Sequence, residues 1–167
     1  MAILFPMEIP ERVRPFWERF QASIAYDARP LFYEAFHFDD NERTANALVE
    51  LVLSGRKRAT AGLVWTNECT GKPLPTTGAL SVVTDWSGAP QCVIRTTQVD
   101  IVPFAAVREG SAAREGEGDR SLRWWKEAHW RFFSRECARL GREPALDMPV
   151  VCEQFEVVYP MPDQRLG

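Results

Sequence analysis

Apolar side chains recur at spacings of three and four positions in three parts of the chain, and this periodicity predicts three amphipathic helices. The first covers residues 10–24, the second ends at Gly55, and the third begins near Arg120. A glycine just after the last apolar position is typical of a helix end. The apolar stripes of the three predicted helices consist of Val13, Phe16, Trp17, Phe20 and Ile24; of Ala45, Leu48, Val49 and Val52; and of Leu122, Trp125, Phe132, Phe133, Cys137 and Leu140.

After the second helix the pattern changes to an alternation of apolar and polar residues, which predicts β-strands. Residues 86–88, Trp-Ser-Gly, are typical of a hairpin turn between two of these strands. Residues 67–78 are rich in glycine and proline and are expected to form a loop. Strands mixed with helices, without a regular alternation, indicate an α+β fold. The predicted strands cover residues 59–65, 79–84, 91–96 with a continuation to 102, and 150–159.

The composition narrows the possible classes of function. The chain of 167 residues is 46% hydrophobic, which is enough for one domain with a substantial core. Its formal net charge is −3. Domains that hold long duplex nucleic acid mainly by charge are usually basic, so the composition argues against that class. A small substrate, or a short single strand held by local charge and stacking, is compatible with this charge.

Four widely spaced cysteines form no Cys-x-x-Cys pair, and only two histidines are present. A zinc site built on these side chains is therefore not expected, and we expect no metal and no other cofactor. The N-terminal apolar stretch is too short for a secretion signal, and no stretch approaches the roughly 20 apolar residues of a membrane span. We therefore expect reduced thiols, no membrane partner and a cytoplasmic location.

Two polar segments differ from this background. Residues 54–60, Ser-Gly-Arg-Lys-Arg-Ala-Thr, set a lysine and a hydroxyl beside a glycine at the start of a strand. Residues 114–122, Arg-Glu-Gly-Glu-Gly-Asp-Arg-Ser-Leu, gather three acids and two glycines before the third helix. Taken alone, each has an ordinary interpretation, because helix dipoles favour cations at the C-terminus and acids at the N-terminus. Together they supply a cation, a candidate nucleophile and carboxylates, the usual parts of a metal-independent hydrolytic site.

With five further motifs in the same order, these segments resemble the ASCH domain family, a branch of the PUA-like superfamily. The resemblance covers residues 34 to 159 and implies a curved PUA-like β-barrel flanked by helices. It divides the chain into an N-terminal helical extension, residues 1–33, and an ASCH domain, residues 34–167. In one departure, Ala79 stands where family members often carry an aspartate. The motifs are Gly55-x-Lys57-x-Ala59-Thr60, Pro75-x-x-Gly78, Leu80-Ser81-Val82-Val83-x-Asp85, Ile94-Arg95-Thr96-Thr97-x-Val99, Glu115-Gly116-Glu117-Gly118-Asp119-x-Ser121-Leu122, Trp125-x-x-x-His129-x-x-Phe132-Phe133 and Val150-Val151-x-Glu153-x-Phe155.

The family includes bacterial amidohydrolases that remove the acyl group from the exocyclic amine of acylated cytidine. Similarity to them implies catalytic roles for Lys57 as base or cation and for Thr60 as nucleophile. It also implies a role for one glutamate of the segment 114–122, which we call the acidic loop. Glu115 and Glu117 both fit this role, and Glu117 is favoured because its flanking glycines let backbone and ligand approach closely. On a regular strand, residues three apart face opposite sides, so Lys57 and Thr60 converge only if Lys57 lies in the turn after Gly55.

Other side chains near these segments are candidates for substrate contact. Trp65 follows Thr60 on the same predicted strand and is expected to wall a pocket. Arg95 is either a strand-surface cation or a phosphate ligand, and Ser121 is either a helix cap or a substrate contact. His129 is expected to be a half-buried packing residue on the third helix. The substrate-binding candidates are Arg56, Arg58, Trp65, Arg95, Glu115 and Ser121.

Three functions are compatible with these residues. The acidic loop and the chain length resemble family members that are reported as ribonucleases, so we expect a hydrolase that acts on single-stranded RNA. Shorter members are amidohydrolases, and deacylation of N4-acylated cytidine through Lys57, Thr60 and Glu117 is the alternative. The third class is an RNA-binding module without catalysis, as many PUA-like domains are. The expected partner is RNA or a modified nucleoside, and the sequence leaves the oligomeric state open.

Overall fold

The computed structural model describes residues 7–161, which form five α-helices and five β-strands. Short 3-10 turns precede α1, β1 and α4. The elements confirm an α+β fold with an N-terminal helix. The helices are α1 (Arg14–Ala22), α2 (Glu42–Leu53), α3 (Val64–Thr70), α4 (Glu109–Glu115) and α5 (Leu122–Arg139). The strands are β1 (Phe32–Phe36), β2 (Ala59–Leu63), β3 (Leu80–Thr84), β4 (Pro90–Pro103) and β5 (Pro149–Tyr159).

The five strands form one mixed sheet in the order β1-β3-β4-β5-β2. The β1–β3 pair is parallel and the other three pairs are antiparallel. Strands β4 and β5 form the longest ladder, which runs from Val93 opposite Tyr159 to Pro103 opposite Pro149 with two shifts of register. Within residues 7–161 no ladder joins the two edge strands, so closure of the sheet into a barrel is not shown.

Three apolar clusters pack helices against this sheet. Each helical stripe predicted from the sequence supplies one cluster, which explains why apolar side chains recur at helical spacing there. The α1 cluster joins Val13, Phe16, Trp17 and Phe20 to Phe32, Leu80, Val82 and Val93. The α5 cluster joins Trp125, Phe133 and Cys137 to Leu63, Phe104, Val107, Ala112, Met148 and Val150. The α2 cluster joins Leu48, Val49 and Val52 to Phe38, Val83, Cys92, Ile94 and Phe155.

The ends of α2 position the first polar segment. Asn41 caps its N-terminus, where the side-chain oxygen accepts a hydrogen bond from the Thr44 amide at 2.9 Å. At the other end Gly55 adopts a left-handed conformation with φ +77°, which glycine reaches without strain. The chain therefore reverses at Gly55 and enters β2 only at Ala59. Lys57 lies in the intervening turn, as convergence with Thr60 requires.

Two elements were not predicted from the sequence. Strand β1 is a short edge strand in residues 32–36, which carry no alternating pattern. Helix α3 begins at Val64, where a strand was predicted to continue to Trp65 and a loop to follow. The prediction is wrong there because β-branched and aromatic residues in this segment favour a strand locally, whereas Trp65 instead packs against the α5 cluster.

The remaining expectations concern thiols and membranes. No disulfide joins any of the four cysteines within residues 7–161, and Cys92 and Cys137 are buried. In the part of the chain that the structure describes, no helix has both the length and the apolar character needed to cross a bilayer.

Candidate active site at the Lys57 turn

Backbone hydrogen bonds bring the two polar segments of the sequence together. The Arg58 amide donates to the Arg114 carbonyl at 2.8 Å, and the Lys57 amide donates to the Leu51 carbonyl at 3.0 Å. The Arg58 carbonyl in turn accepts from the Phe155 amide of β5 at 3.0 Å. The turn after α2 is therefore held between the sheet and the end of α4. This arrangement places Lys57 beside the acidic loop, although the two are almost 60 residues apart in sequence.

Gly116 is required for this contact between the segments. It has a φ of +69°, and a Cβ at this position would lie 2.2 Å from the Arg56 carbonyl oxygen. No side chain fits at that distance, so the close approach of the two backbones depends on glycine. Gly118 is similarly confined, because a Cβ there would lie 2.2 Å from the Trp124 ring. The two glycines of the acidic loop thus have steric roles.

Lys57 is buried, with 2% of its surface exposed. Its Nζ donates to the Ala59 carbonyl at 2.9 Å and lies 3.6 Å from Glu115 Oε2 and 3.7 Å from Glu117 Oε1. The same atom lies 5.2 Å from the centre of the Phe38 ring, within the range of a cation–π contact. Three acceptors and an aromatic face therefore surround the ammonium group, which is suited to stabilise negative charge rather than to remove a proton.

Glu115 is buried among donors. Its Oε1 accepts from Trp125 Nε1 at 2.8 Å, and its Oε2 lies 3.2 Å from His129 Nε2. His129 Nδ1 lies 3.0 Å from the Trp125 carbonyl, which can only accept, so both ring nitrogens face acceptors. The imidazole also stacks on the Trp125 ring with 4.0 Å between centroids. These contacts favour an ionised Glu115 paired with a protonated His129.

The charges of this pair shift both pKa values. Burial by itself would raise the pKa of Glu115, but the charges of His129 and Lys57 and the hydrogen bonds outweigh it and lower the pKa to about 2. Burial by itself would lower the pKa of His129, but the Glu115 carboxylate outweighs it and raises the pKa above its ordinary value. Both shifts therefore favour the charged forms of the pair.

Glu117 has a different environment from Glu115. Its side chain is 12% exposed, and within residues 7–161 it accepts no hydrogen bond from a fixed donor comparable to Trp125. Burial raises its pKa, the charge of Lys57 opposes this shift, and the neighbouring Glu115 carboxylate adds to it. Two carboxylates beside one lysine thus have pKa values moved in opposite directions, an arrangement typical of acid–base sites. Glu117 is the member whose environment favours the protonated form.

These side chains line one cavity of about 490 Å³ between α2, β2, the acidic loop and α5. The volume is within the range of pockets for small ligands. Thr60 also lines the cavity, and its hydroxyl has no hydrogen-bond partner in the described part of the chain. The structure thus brings Lys57, Thr60, Glu115 and Glu117 together. The cavity is lined by these four and His129, by further polar residues that include Asp39, Asn41, Arg131 and Arg135, and by apolar residues that include Phe38, Leu48, Leu51, Trp124 and Phe132.

A second cavity of about 230 Å³ adjoins the first across β2. Thr60, Phe38 and Phe132 line both. Its polar lining includes Glu153, which lies directly across from Thr60 in the β2–β5 ladder. Burial raises the pKa of Glu153, and its Oε1 accepts from Thr96 Oγ1 at 2.5 Å. A ligand larger than the first cavity therefore has room to extend past Thr60.

The other candidates from the sequence lie elsewhere. Arg56 and Arg58 line a separate concavity on the opposite side of the Lys57 turn. Trp65 is the second residue of α3, and its ring centre lies 4.6 Å from the Arg142 guanidinium, so it does not wall the Lys57 cavity. Arg95 pairs with Glu156 across β4 and β5.

Ser121 is the N-cap of α5. Its hydroxyl accepts from the Trp124 amide at 3.1 Å, and it does not line the cavity. Of the two interpretations of Ser121 from the sequence, the structure therefore agrees with the helix cap.

The environment of His129 was not predicted from the sequence. The sequence indicates a packing residue, because no acid near it in sequence is a partner. The signal that could have revealed the site is the four-residue spacing between Trp125 and His129, which places both on one face of α5. Glu115 lies just before this helix and receives a hydrogen bond from each of them.

Glu115, Glu117 and His129 also have the geometry to share a metal ion, since one ligand atom of each lies within 4.8 Å of the others. Two carboxylates and an imidazole suit a divalent transition metal. Lys57 already supplies positive charge to both carboxylates, however, and a metal would require His129 to lose its Nε2 proton. The absence of a metal stays a prediction from the sequence.

Chemically, the site combines a fixed cation, a carboxyl group with a raised pKa and a free hydroxyl around one cavity. A fixed cation stabilises an oxyanion or phosphorane without reorganisation. A carboxylate whose pKa is raised is a stronger base than an ordinary carboxylate and is suited to accept a proton from a reacting group. The arrangement is therefore suited to hydrolysis or transesterification at a carbonyl or phosphoryl centre.

Comparison with known proteins adds an independent observation. The ASCH domain family model matches residues 34–159. A crystal structure of an ASCH domain from Lactobacillus crispatus is similar, with a TM-score of 0.84 and 42% sequence identity over 90% of this chain and 96% of that chain. A crystal structure of a protein from Enterococcus faecalis has a TM-score of 0.78 and 32% identity, with 94% of both chains covered. No curated protein matches the chain significantly.

Proposed function

We propose, from the premise that this chain belongs to the ASCH domain family, that it is a hydrolase that cleaves single-stranded RNA in the cavity around Lys57. The observation that carries the proposal is the convergence of Lys57, Glu115, Glu117 and His129 on one cavity that also exposes Thr60. Buried ionisable groups with opposed pKa shifts cost stability and are typical of active sites.

In the proposed reaction the substrate supplies its own nucleophile. The 2′-hydroxyl of a ribose attacks the adjacent phosphorus, and Glu117 accepts its proton as the new O–P bond forms. The Lys57 ammonium stabilises the negative charge that develops on the phosphorane oxygens. The bond from phosphorus to the 5′ oxygen then breaks, and that oxygen takes a proton from water. The products are a 2′,3′-cyclic phosphate end and a 5′-hydroxyl end.

Glu115 and His129 have a positioning role in this proposal. Glu115 is occupied by Trp125 and His129, so it does not have a free oxygen aimed at a substrate proton. Its charge holds Lys57 and raises the pKa of Glu117. His129 neutralises part of that charge from the other side. The pair therefore sets the electrostatics in which Glu117 acts.

A second candidate function is deacylation of N4-acylated cytidine with Thr60 as nucleophile. It is favoured by one observation: the Thr60 hydroxyl lines the cavity and has no hydrogen-bond partner within residues 7–161. Against it, Lys57 Nζ bonds to the Ala59 carbonyl and is surrounded by acceptors, so it does not act as a base toward Thr60 in this arrangement. A non-catalytic RNA-binding module is the third candidate.

The test is an assay with matched substrates, analysed by chromatography. Purified protein is incubated with a single-stranded RNA octamer, the DNA octamer of the same sequence and N4-acetylcytidine. The expected result is cleavage of RNA to cyclic-phosphate products, with DNA intact because it lacks the 2′-hydroxyl. Release of acetate and free cytidine, with intact RNA, would instead establish the deacylase. Binding of RNA without any product would establish the binding module.

Two expectations about the fold belong with this proposal. The PUA-like sheet closes into a curved barrel in solution, and the predicted N-terminal extension, whose first six residues lie outside the described part of the chain, packs on the domain. Packing of α1 against Leu80, Val82 and Val93 supports the second expectation. A cytoplasmic location would agree with the free thiols and with RNA as the partner.

A further inference from the structure

Four arginines surround a third concavity, which lies near the active site. Arg56, Arg58, Arg114 and Arg120 line it, together with Ser54 and Gly55, and its volume is about 370 Å³. All four arginines are exposed. Arg56 and Arg58 flank Lys57 in sequence but line a different cavity from it. The turn between α2 and β2 therefore separates an inner face, with Lys57, from an outer face, with the arginines. We call the outer face the four-arginine surface.

The charges of this surface are not neutralised by the protein. Within residues 7–161, none of its four arginines has a carboxylate within 4.0 Å. Among the other arginines of residues 7–161, six have such a partner: Arg29, Arg95, Arg123, Arg135, Arg139 and Arg142. Six more have none: Arg12, Arg14, Arg19, Arg43, Arg108 and Arg131. The four-arginine surface is therefore distinguished by the grouping of four unpaired arginines around one concavity, in a chain whose net charge is −3.

Backbone carbonyls hold three of the guanidinium groups in place. Arg56 donates to the Gly116 carbonyl at 2.9 Å and to the Gly118 carbonyl at 3.2 Å. Arg58 donates to the Gly55 carbonyl at 2.9 Å, and Arg120 donates to the Ala113 carbonyl at 3.3 Å. A neutral carbonyl orients a guanidinium without cancelling its charge, and most of the five N–H donors stay free. The surface is therefore preorganised for an anion.

We propose that the four-arginine surface binds phosphate groups of the RNA strand whose cleavage is proposed above, so the substrate is a phosphate-bearing strand rather than a free nucleoside. This inference rests on the proposed function. Guanidinium groups bind phosphate oxygens in bidentate pairs, and four of them exceed what a single phosphate needs. A free nucleoside has no group for this surface.

The position of the surface supports a strand that also reaches the active site. Gly118, whose carbonyl accepts from Arg56, lines the Lys57 cavity as well. The acidic loop thus borders both the Lys57 cavity and the four-arginine surface. A strand that places one nucleotide beside Lys57 and Glu117 would pass its neighbouring phosphates over the edge of this loop. Arg56 contacts the loop directly, so phosphate binding there also holds Glu117 in position.

The experiment measures binding of a 2′-O-methyl RNA octamer, which has all the phosphates but no attacking hydroxyl, by fluorescence anisotropy at several salt concentrations. The double variant Arg58→Ala/Arg114→Ala removes two arginines of the surface that do not bond to the acidic loop. The matched control is Arg14→Ala/Arg19→Ala, two exposed arginines of α1, one of which also donates to a backbone carbonyl.

We expect the double variant to bind at least tenfold more weakly, and the slope of log K against log salt to decrease by about 1.4, since each single-strand phosphate contact contributes about 0.7. The control variant should bind like the wild-type protein. Equal affinity in the double variant and the wild type would overturn the proposal. Equal affinity of the wild type for the octamer and for a mononucleotide would overturn the strand-binding part.

The outcome also separates this inference from the proposed function. If unmodified RNA is cleaved but the double variant binds normally, the hydrolase proposal stands and the four-arginine surface does not bind the strand. If binding depends on Arg58 and Arg114 but no RNA is cleaved, the surface binds phosphates and the hydrolase proposal fails.

Discussion

Arg56, Lys57 and Arg58 are three consecutive cations in opposite environments. Lys57 is 2% exposed and is surrounded by carboxylates, whereas its two neighbours are exposed and have no acidic partner within the described residues. A buried ion pair is seldom a net source of stability, because desolvation offsets the attraction. The buried charges of the inner face therefore cost stability, and a catalytic function explains why they are there. The unpaired guanidinium groups of the outer face are available to bind an anionic ligand.

The comparison also distinguishes the two glutamates. Glu115 is buried, and its contacts with Trp125, His129 and Lys57 stabilise the ionised carboxylate. Glu117 is at the edge of the cavity with a raised pKa. The inner face thus contains a fixed charge at the last residue of α4 and a carboxyl with a raised pKa in the loop that follows. The following predictions test this division, beginning with the largest expected effect.

Glu117→Gln should remove most RNA cleavage, with a loss of kcat of about 10²–10⁴, because an amide cannot accept the proton of the attacking hydroxyl. The matched control is Glu115→Gln, which changes a carboxyl beside the same lysine. Its effect on kcat should be much smaller and its effect on stability larger, since its oxygens already accept from the protein. Equal kcat losses in both variants would contradict separate roles for the two carboxyls.

Lys57→Met should destabilise the fold by about 3–5 kcal/mol, because it leaves two buried carboxylates without their cation. A lysine after a helix-ending glycine usually lies at the surface and contributes little to the core, so this effect depends on the burial of Lys57. Arg58→Met, one residue away on the outer face, should change the free energy of unfolding by no more than about 0.5 kcal/mol. Urea denaturation of both variants measures the difference, and equal midpoints would mean that the inner face is not buried in solution.

His129→Gln should change how stability depends on pH. The pKa of His129 is raised above its ordinary value of 6.5 in the folded protein. The stability that this shift contributes is fully present below pH 6.5 and is lost as the pH rises through the folded-state pKa. The free energy of unfolding of the wild type should therefore decrease above pH 6.5, and the variant should show a smaller decrease. Identical pH profiles would argue against the His129–Glu115 ion pair.

Thr60→Val should have the smallest effect if RNA supplies its own nucleophile. Valine preserves the shape and β-branching of threonine and removes only the hydroxyl. Most RNA cleavage should therefore remain, as measured by initial rates at saturating substrate. A loss as large as that of Glu117→Gln would identify Thr60 as the nucleophile and favour the amidohydrolase mechanism.

Local patterns in the sequence account for much of the fold. Gly55 follows the apolar stripe of α2, so the helix end and the position of Lys57 in a turn were both predictable. The acidic loop precedes α5 for similarly local reasons. Strand β1 and helix α3 were not predicted, because β1 lacks an alternating pattern and the first residues of α3 have strand propensity. Tertiary packing outweighs local propensity in both places.

The environment of the site was less predictable than its members. The burial of Lys57 depends on backbone contacts that its neighbours make with the second polar segment: Arg58 with Arg114, and Arg56 with Gly116. No periodicity in the sequence predicts these contacts. His129 lies 14 residues from Glu115, so their pairing depends on the angle at which α5 leaves the loop. The four-arginine surface likewise forms only when the two polar segments meet, because Arg56 and Arg58 belong to the first segment and Arg114 and Arg120 to the second.

The most direct test of the division between inner and outer faces is the single-turnover rate of RNA cleavage at saturating RNA in Lys57→Met and Arg58→Met. Circular dichroism confirms that each variant is folded, and Lys57→Arg, which keeps the charge, serves as a second variant at the inner face. We expect Lys57→Met to cleave about 10²–10³-fold more slowly, from lost transition-state stabilisation, and Arg58→Met to cleave at the wild-type rate once saturated. Wild-type cleavage by folded Lys57→Met would contradict the assignment of the Lys57 cavity as the active site.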